Sequence, residues 1–206
     1  HMLGQGLIGT PYLAWLHALS GGDRIFITPW RHLKERGGPI VDMGVHYTDL
    51  LRYQLGDVDE VYGAAWLVEK VRRKQDRIGD QYAFYQQRHA AMAEQVPATA
   101  EDSSVALLRM RSGVMVNWMM GVGGQAGCYG QAIAGERGVI PTFGSRGAKA
   151  VLQLAGRGQL EHEQILEMVT GFELAPLEAH FFPERVFAGN VDWRLLAVEL
   201  HELGEC

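Results

Sequence analysis

The sequence predicts an α+β fold that contains an antiparallel β-sheet. Apolar segments at 104–111 and 114–122 flank Ser112-Gly113, and segments at 130–135 and 139–143 flank Glu136-Arg137-Gly138. A short turn between two apolar segments is typical of a β-hairpin, so two hairpins in succession are predicted. In 114–120 the even positions are all apolar, and the odd ones include Met115 and Met119. We therefore expect both faces of the sheet to be covered, one of them by a second copy of the chain.

The remaining elements follow in chain order. Segment 11–20 is apolar and is compatible with a strand or a short helix, of which we favour the strand. Residues 28–39 are rich in turn formers and predict an irregular polar loop, of the kind that often carries function. The strongest helix is predicted at 41–55, with Asp42 capping its first turn and Gly56 ending it. We also predict a strand at 58–68, a solvated and partly helical excursion at 72–95, and a helix at 192–203.

The bulk composition disfavours several classes of partner. The chain has 206 residues, of which 47% are hydrophobic and 21% charged, and this is typical of a folded globular protein. Its formal net charge of -5 provides no basic surface for nucleic acid or an anionic membrane. Since no apolar stretch is long enough to span a bilayer and no secretory signal begins the chain, we expect a cytoplasmic protein.

The two ends of the chain carry expectations of their own. We interpret residues 1–3, His1-Met2-Leu3, as a cloning tail and residues 4–206 as a single domain. The chain ends shortly after the helix predicted at 192–203, without a closing element, so we expect this domain to be truncated. Cys128 and Cys206 are too few for a disulfide framework or a thiolate zinc site, and we expect free thiols.

The segment from Gly4 to Gly9 matches the G-x-G-x-x-G pattern of dinucleotide-binding loops. In those loops a buried strand delivers the glycines to the N-terminus of a helix, where the pyrophosphate binds. Only three residues precede Gly4, and Pro11 argues against a following helix. The pattern therefore does not predict a dinucleotide site, and we expect no cofactor to bind this chain alone.

Three ionisable residues lie at helical spacing in the segment 41–55. Because successive residues of an α-helix turn by about 100°, Asp42, His46 and Asp49 fall within about 60° of one another, together with Tyr53. A histidine between two carboxylates is suited to donating and accepting a proton near neutral pH. The same spacing is compatible with a helix cap at Asp42 and a surface Asp-His pair, and spacing alone does not separate the two interpretations.

A long motif surrounds these three residues. The segment Gly37-Gly38-Pro39-Ile40-Val41-Asp42-Met43-Gly44-Val45-His46-Tyr47-Thr48-Asp49 resembles the G-G-G-x-x-x-D-x-G-x-H-x-x-D motif of the Gfo/Idh/MocA family of NAD(P)-dependent oxidoreductases. Pro29-Trp30-Arg31 and Glu101-Asp102-Ser103-Ser104 are similar to segments of that family's C-terminal domain. The resemblance covers roughly residues 4–203. It implies an open, mostly antiparallel sheet with helices packed on one face, and dimers or tetramers formed through the other face.

The resemblance also implies roles for individual residues. Asp42 and His46 match the family's catalytic Asp and His, with His46 as the acid/base at the hydroxyl or carbonyl group, and Asp49 would orient or polarise the histidine. Substrate contacts are implied at Trp30, Arg31 and Tyr47. The substrate would be a sugar, an inositol or a similar hydroxy or carbonyl compound, and the complete enzyme would use NAD or NADP.

Three features depart from the family pattern. Pro39 replaces the third glycine of the motif, and the Rossmann domain that precedes the motif in the family is missing. No lysine of the chain is followed by proline, so the Lys-Pro step whose lysine usually assists catalysis is missing too. We therefore expect the chain to be the substrate-side part of an oxidoreductase and to be inactive alone.

Two further classes of function stay open. A cofactor-free module would bind a polyol through the same residues and form an oligomer through its sheet. A metal-dependent hydrolase or isomerase would use His46, Asp49 and Glu161-His162-Glu163. We expect no metal site, because adjacent residues on a helix face different directions and the chain has no His-x-x-x-His pair.

Overall fold

The structure is a computed structural model of the 206-residue chain, and it describes residues 2–76, 83–124, 127–142, 150–183, 194, 197–198, 200–201 and 204. The chain divides into two compact units. The larger unit is Leu13–Gly130, and the smaller one is His1–Tyr12 with Gln131–Cys206. The interpretation of 1–3 as a tail and of 4–206 as one domain stays a prediction.

The described part of the larger unit contains six strands, two α-helices and two short 3-10 helices. Its strands are most of β1 (Pro11–Leu19), β2 (Val58–Trp66), β3 (Val71–Arg73), β4 (Gln95–Pro97), β5 (Ser103–Met110) and β6 (Met115–Gly121). Its helices are α1 (Gly38–Leu55) and α2 (Ala83–Ala90), and two short 3-10 helices lie at Pro29–His32 and Lys34–Arg36. The strands predicted at 11–20 and 58–68 and the hairpin around Ser112-Gly113 are confirmed.

Four strands of this unit form a sheet in the order β1-β6-β5-β2. β5 is antiparallel to both of its neighbours, whereas β1 runs parallel to β6, with Leu16 opposite Trp118. β2 lies at an edge, so the sheet is open. β3 and β4 form a separate antiparallel pair.

The smaller unit contains the second predicted hairpin. Its strands are most of β7 (Cys128–Gly135), β8 (Gly138–Thr142), β9 (Val151–Leu154) and β10 (Gly158–Leu160), each antiparallel to the next. The helices α3 (His162–Met168) and α4 (Pro176–Phe181) follow. The sequence did not predict β9, β10, α3 or α4, because elements of three to seven residues show too little periodicity. Of the helix predicted at 192–203, residues 194, 197–198 and 200–201 are helical, and the others lie outside the described residues, as does residue 143 of the hairpin.

Helix α1 packs on one face of the sheet of the larger unit. Val116, Trp118 and Met120 of β6 are buried, and a Cβ added to Gly44 of α1 would lie 3.6 Å from Trp118 and from Met120. On the opposite face Met115 is 38% exposed. The α+β class and the mostly antiparallel sheet with a helix on one face are therefore confirmed, whereas cover of the second face by another chain stays a prediction.

Helix α1 begins earlier than the sequence predicted. Its first residue is Gly38, because Gly37 at φ 92° and Gly38 at φ 74° turn the chain into the helix. Pro39 lies in the first turn, where its fixed φ suits a helix and its missing N–H leaves no hydrogen bond unmade. Asp42 is therefore the fifth helical residue, and the predicted cap at Asp42 is wrong. Gly56 ends the helix as predicted, with its N–H donating to the Arg52 carbonyl at 2.9 Å.

The segment 72–95 differs from the solvated excursion that its polarity predicted. Its first residues belong to β3, and Arg72 is completely buried. Helix α2 agrees with the expectation that the segment is partly helical, and residues 77–82 lie outside the described part of the chain. Polarity was misleading here because a buried ion pair, described below, satisfies the charge of Arg72.

The N-terminal glycines have the backbone context that the sequence predicted. Residues 2–8 form turns, and β1 then begins at Pro11. The G-x-G-x-x-G pattern therefore leads into a strand and not into the N-terminus of a helix.

Two expectations from composition can be compared with the described residues. Among them, no helix has the length and apolarity needed to cross a membrane. Cys128 is an exposed free thiol, and Cys206 lies outside the described residues.

Candidate active site

The outward face of α1 carries the three ionisable residues. Asp42, His46 and Asp49 all lie within Gly38–Leu55, so they share one side of a single helix. The buried residues of the middle and end of α1 are Gly44, Leu51 and Leu55, which lie on the opposite side. His46 and Asp49 are exposed and Asp42 is half-buried. The stripe thus faces away from the core of its own unit.

The imidazole of His46 is free within the described part of the chain. Neither Asp42 nor Asp49 hydrogen-bonds to it there, and Asp42 is instead bonded to Arg31. Both ring nitrogens of His46 are therefore available to a ligand. Neither carboxylate fixes the orientation of the ring.

Arg31 and Asp42 form an ion pair beside the stripe. The Arg31 Nη1 group donates to Asp42 Oδ2, and the two side chains are 26% and 29% exposed. The Arg31 guanidinium also lies over the ring of Trp30, at 5.6 Å from the ring centroid. Three residues predicted for the site, Trp30, Arg31 and Asp42, therefore form one contiguous group.

A cavity of about 580 Å³ opens beside this ion pair. Arg31 and Asp42 line it, and Pro39 and Met43 of α1 contribute an apolar side. Sites for small molecules typically measure about 300–1,000 Å³. Among the predicted site residues, only Arg31 and Asp42 belong to the described lining of this cavity.

Tyr47 points to a different part of the unit. Its ring meets Trp118 edge to face at a centroid distance of 6.4 Å, and it lies 6.2 Å from the ring of Tyr129. On an α-helix Tyr47 lies about 140° from Asp42, which accounts for the separation. The structure therefore does not bring Tyr47 to the cavity beside Asp42.

A strained loop forms another wall of the cavity. Ile27 has φ 49°, a conformation that β-branched residues rarely adopt, and the Thr28 N–H donates to the Phe26 carbonyl across it. The Phe26 N–H donates to Nε2 of His32 at 3.0 Å, and the His32 ring lies 5.4 Å from the Phe26 ring. His32 therefore stabilises this strained conformation.

His32 is buried and neutral. Its side chain is almost fully enclosed, and burial together with the positive charge of Arg72 lowers its pKa from 6.5 to about 4. Because Nε2 accepts a hydrogen bond, the ring proton lies on Nδ1. The His32 carbonyl also accepts hydrogen bonds from the N–H groups of Thr99 and Ala100, at 2.9 and 3.1 Å. No sequence pattern indicates this role, because an isolated histidine in a polar loop is compatible with packing and with surface exposure.

A buried ion pair packs against the loop that contains Phe26 and Ile27. Arg72 Nη2 donates to Asp102 Oδ2 at 2.6 Å, and both side chains are almost completely inaccessible to solvent. Arg72 Nη1 donates to the carbonyls of Gly22 and Val122, at 2.9 and 2.8 Å. Its guanidinium lies 5.7 Å from the centroid of the Phe26 ring. Arg72 thus connects the loop that carries Phe26 to the end of β6.

Backbone groups satisfy the carboxylate of Asp102. Its oxygens accept the N–H groups of Val68 and Glu69 at 2.8 and 2.9 Å, in addition to Arg72. A buried charge is tolerated when it is paired and hydrogen-bonded in this way. The sequence singled out Asp102 only as part of a motif, and Arg72 as a solvated residue.

A larger cavity lies elsewhere in the same unit. It measures about 890 Å³ between α1 and the edge strand β2, and its lining includes Ile40, Val61, Leu108 and Trp118. None of the predicted site residues lines it. We therefore place the candidate site at the smaller cavity, where ionisable groups converge.

The described residues contain no group of three or more His, Cys, Asp or Glu side chains arranged to hold a metal ion. Glu161, which was considered as a ligand, caps α3 instead. Its side chain accepts from the backbone of Gln164, and the Gln164 side chain accepts the Glu161 N–H at 2.9 Å.

Three comparisons with known proteins bear on this geometry. Residues 1–141 match the model of a protein family described as the GFO/IDH/MocA C-terminal domain. No curated protein matches the chain.

Solved structures resemble the fold. An NAD binding oxidoreductase from Klebsiella pneumoniae has a TM-score of 0.65 at 20% identity, over 97% of this chain and 50% of that one. Levoglucosan dehydrogenase in complex with NADH has a TM-score of 0.57 at 18% identity, over 78% and 41% of the two chains. An oxidoreductase from Agrobacterium radiobacter in complex with NAD+, L-tartaric acid and magnesium has a TM-score of 0.53 at 22% identity, over 78% and 40%.

At these identities the likeness concerns the fold, and this chain spans half or less of the length of those three structures. The family model, by contrast, covers more than half of the chain, including the helix that carries Asp42, His46 and Asp49. This chain belongs to the GFO/IDH/MocA C-terminal domain family.

Proposed function

We propose that this chain is the substrate-side domain of an NAD(P)-dependent oxidoreductase and that His46 is its acid/base. The observation that carries the proposal is the outward face of α1, where His46 has no partner among the described residues and Asp42 borders a cavity. His46 lies one helical turn after Asp42 on the same side of α1, and an exposed imidazole there can exchange a proton with a hydroxyl or carbonyl group that reaches it from the cavity. Membership in the family supports the redox reaction class.

The substrate is a sugar, an inositol or a similar hydroxy or carbonyl compound. In the oxidation direction, His46 accepts the hydroxyl proton while the hydrogen on the same carbon leaves as hydride, so that an alcohol becomes a carbonyl compound. In reduction, His46 returns that proton to the carbonyl oxygen. NAD or NADP, bound by the complete enzyme, supplies the hydride acceptor or donor.

The neighbours of His46 position the substrate. Asp42, held by Arg31, presents a carboxylate oxygen as an acceptor at the mouth of the cavity. Trp30 contributes an exposed ring that can cover the apolar face of a sugar. Asp49 orients the imidazole when substrate is bound. Tyr47 is a weaker candidate for substrate contact, because its ring packs on Trp118 and Tyr129.

The glycines of this chain do not fit a dinucleotide. The segment from Gly4 to Gly9 leads into β1, so its N–H groups do not gather at a helix N-terminus. Two of those N–H groups are already used, since Gly6 donates to Leu3 and Gly9 donates to Gly6, at 2.9 and 3.0 Å. We therefore assign cofactor binding to the rest of the complete enzyme and expect this chain to be inactive alone, in a protein that resides in the cytoplasm.

The test compares His46→Ala and His46→Gln in the full-length protein that contains this chain. Removal of a general acid/base lowers kcat by about 10²–10⁴-fold, and we expect this loss in both variants with unchanged cofactor affinity. Val45→Ala, also exposed on α1, is the matched control and keeps its activity. Normal turnover of His46→Ala would refute the role of His46. Tight stoichiometric binding of NADH to the 206-residue chain would refute the assignment of cofactor binding to the rest of the complete enzyme.

The exposed sheet face favours an accompanying role in assembly. Leu13 and Met115 are opposite one another on β1 and β6, and Val105 and Leu107 lie on β5. They are 38% to 48% exposed, although an apolar row of this kind is normally covered. We propose that this face forms a homo-oligomer, and a cofactor-free polyol-binding and assembly module is the alternative to the enzyme. Sedimentation of the wild-type chain and of Leu107→Lys tests this proposal. We expect the wild type to be oligomeric and the variant, which places a charge on the face, to be monomeric. A monomeric wild type would contradict the proposal.

A further inference from the structure

Helix α2 supplies one wall of the cavity beside Asp42. Tyr85 and His89, four residues apart on α2, and Met92, in the turn that follows the helix, are half-buried and line the cavity. On the outer side of the helix Phe84 is 59% exposed, with the Arg88 guanidinium 4.7 Å from its ring centroid. This helical stripe thus faces the cavity and not solvent, although its segment reads as a polar excursion in the sequence.

Apolar side chains form about half of the described lining of the cavity. Six of its lining residues have wholly apolar side chains, which are Ile25, Phe26, Ile27, Pro39, Met43 and Met92. A small polyol in this space would leave hydroxyl groups without hydrogen-bond partners against carbon atoms, which is unfavourable. A ligand with an apolar ring would instead bury its own surface against these walls.

The polar end of the cavity offers two unused hydrogen-bonding atoms. Ser20 Oγ and Arg31 Nε are buried without a hydrogen-bond partner in the described part of the chain, and both residues line the cavity. Buried polar atoms are normally paired, so two unpaired ones in one cavity indicate the position of ligand oxygens. Because Asp42 already neutralises Arg31, a neutral hydroxyl or carbonyl oxygen suffices.

His89 is fixed in one orientation at the same wall. Its Nε2 lies 2.6 Å from the Gln75 carbonyl, and since a carbonyl only accepts, Nε2 carries the proton. The ring is therefore held by the backbone, with Nδ1 left as an acceptor.

We propose that this cavity selects an amphipathic substrate, with an apolar ring packed against Tyr85, Met92 and Phe26 and with its oxygens at Ser20 and Arg31. The inference rests on the proposed function in that it takes the cavity as the substrate site. In this proposal the wall formed by α2 and Met92 determines specificity, and a sugar that carries an apolar ring binds more tightly than a simple polyol.

The test measures binding of two matched probes to the 206-residue chain by titration calorimetry. Phenyl β-D-glucopyranoside and methyl β-D-glucopyranoside carry the same sugar and differ only in the apolar ring. We expect the phenyl compound to bind at least about tenfold more tightly, since a ring buries enough apolar surface for such a ratio. Equal affinities, or no binding of either probe, would overturn the inference.

Variants of this wall locate the preference. Tyr85→Ala and Met92→Ala are each expected to reduce the ratio of the two affinities several-fold, with little effect on the methyl compound. Gln87→Ala, exposed on the side of α2 opposite Tyr85, is the matched control and keeps the ratio. Thermal melts establish that each variant is folded, and Tyr85→Phe, which keeps the ring, is expected to restore the preference. An unchanged ratio in both folded alanine variants would place the ring elsewhere and overturn the proposal.

Failure of this inference and failure of the proposed function give different results. If the phenyl preference is present but His46→Ala leaves turnover intact in the full-length protein, the acid/base proposal fails and the proposed preference for an amphipathic substrate is retained. If turnover depends on His46 but the two probes bind equally, the enzyme proposal stands and the amphipathic substrate is refuted.

Discussion

The larger unit contains two groups of charged residues that differ in how completely they are satisfied. Arg72 and Asp102 are buried and paired with each other, and backbone carbonyls and amides supply most of their remaining hydrogen bonds, whereas Arg72 Nε has no partner among the described residues. His46 and Asp49 are exposed on the outward face of α1, and His46 has no hydrogen-bond partner among the described residues. A charge that the fold buries and pairs with an opposite charge acts on structure, whereas one that the fold leaves exposed and unpaired is available to a ligand.

The largest expected effect is on stability and concerns the buried pair. Asp102→Asn leaves the Arg72 charge buried without its counter-ion, and breaking a buried pair in this way costs about 3–5 kcal/mol. Urea denaturation measures the loss. Asp57→Asn is the matched control, because Asp57 also pairs with an arginine, Arg52 at 2.8 Å, but on the surface. Equal denaturation midpoints for the two variants would contradict the distinction drawn above.

The next effect is a pH dependence that belongs to His32. The folded pKa of about 4 lies below the ordinary 6.5, so the unfolded chain binds more protons between these values. The contribution of His32 is therefore complete above pH 6.5 and is lost as the pH falls toward 4, by about 3 kcal/mol in total. Denaturation of the wild type and of His32→Gln across this range measures it, since only the wild type contains the titrating ring. Parallel curves would contradict the prediction.

A smaller effect on stability concerns the contact between the start of α1 and Ala100. A Cβ added to Gly38, at the start of α1, would overlap the Cβ of Ala100, two residues before Asp102. Gly38→Ala should therefore cost about 1 kcal/mol or more beyond Gly113→Ala, which has a similar φ of 88° but open space around it. Thermal melts of the two variants give the difference. An equal loss of stability in the two variants would indicate that the start of α1 accommodates the added Cβ without strain.

The smallest effect on stability is expected at the outward stripe. His46→Gln and Asp49→Asn change exposed side chains, so each should alter the free energy of unfolding by no more than about 0.5 kcal/mol. The same variants should lower turnover of the full-length protein, which separates the stripe from the buried pair. A large destabilisation by either change would mean that the stripe also acts on structure.

The sequence by itself determined the elements that have strong local signals. The two hairpins, the strand that follows the glycines and the long helix ending at Gly56 were all predicted, because turn residues and apolar alternation act over a few positions. The spacing of Asp42, His46 and Asp49 fixed their common side of α1 for the same reason, and the motif around them indicated the family.

Only the tertiary structure decided which residues surround the cavity. The polarity of its segment predicted a solvated Arg72, and the sequence left packing and surface roles open for His32. Both are buried, and their partners lie 30 and 6 residues away, outside any local pattern. The resemblance implied a substrate contact at Tyr47, but its ring packs against Trp118 instead. Helix α2 became a cavity wall for the same physical reason, since long-range packing, and not local polarity, determines which side of a polar segment is covered.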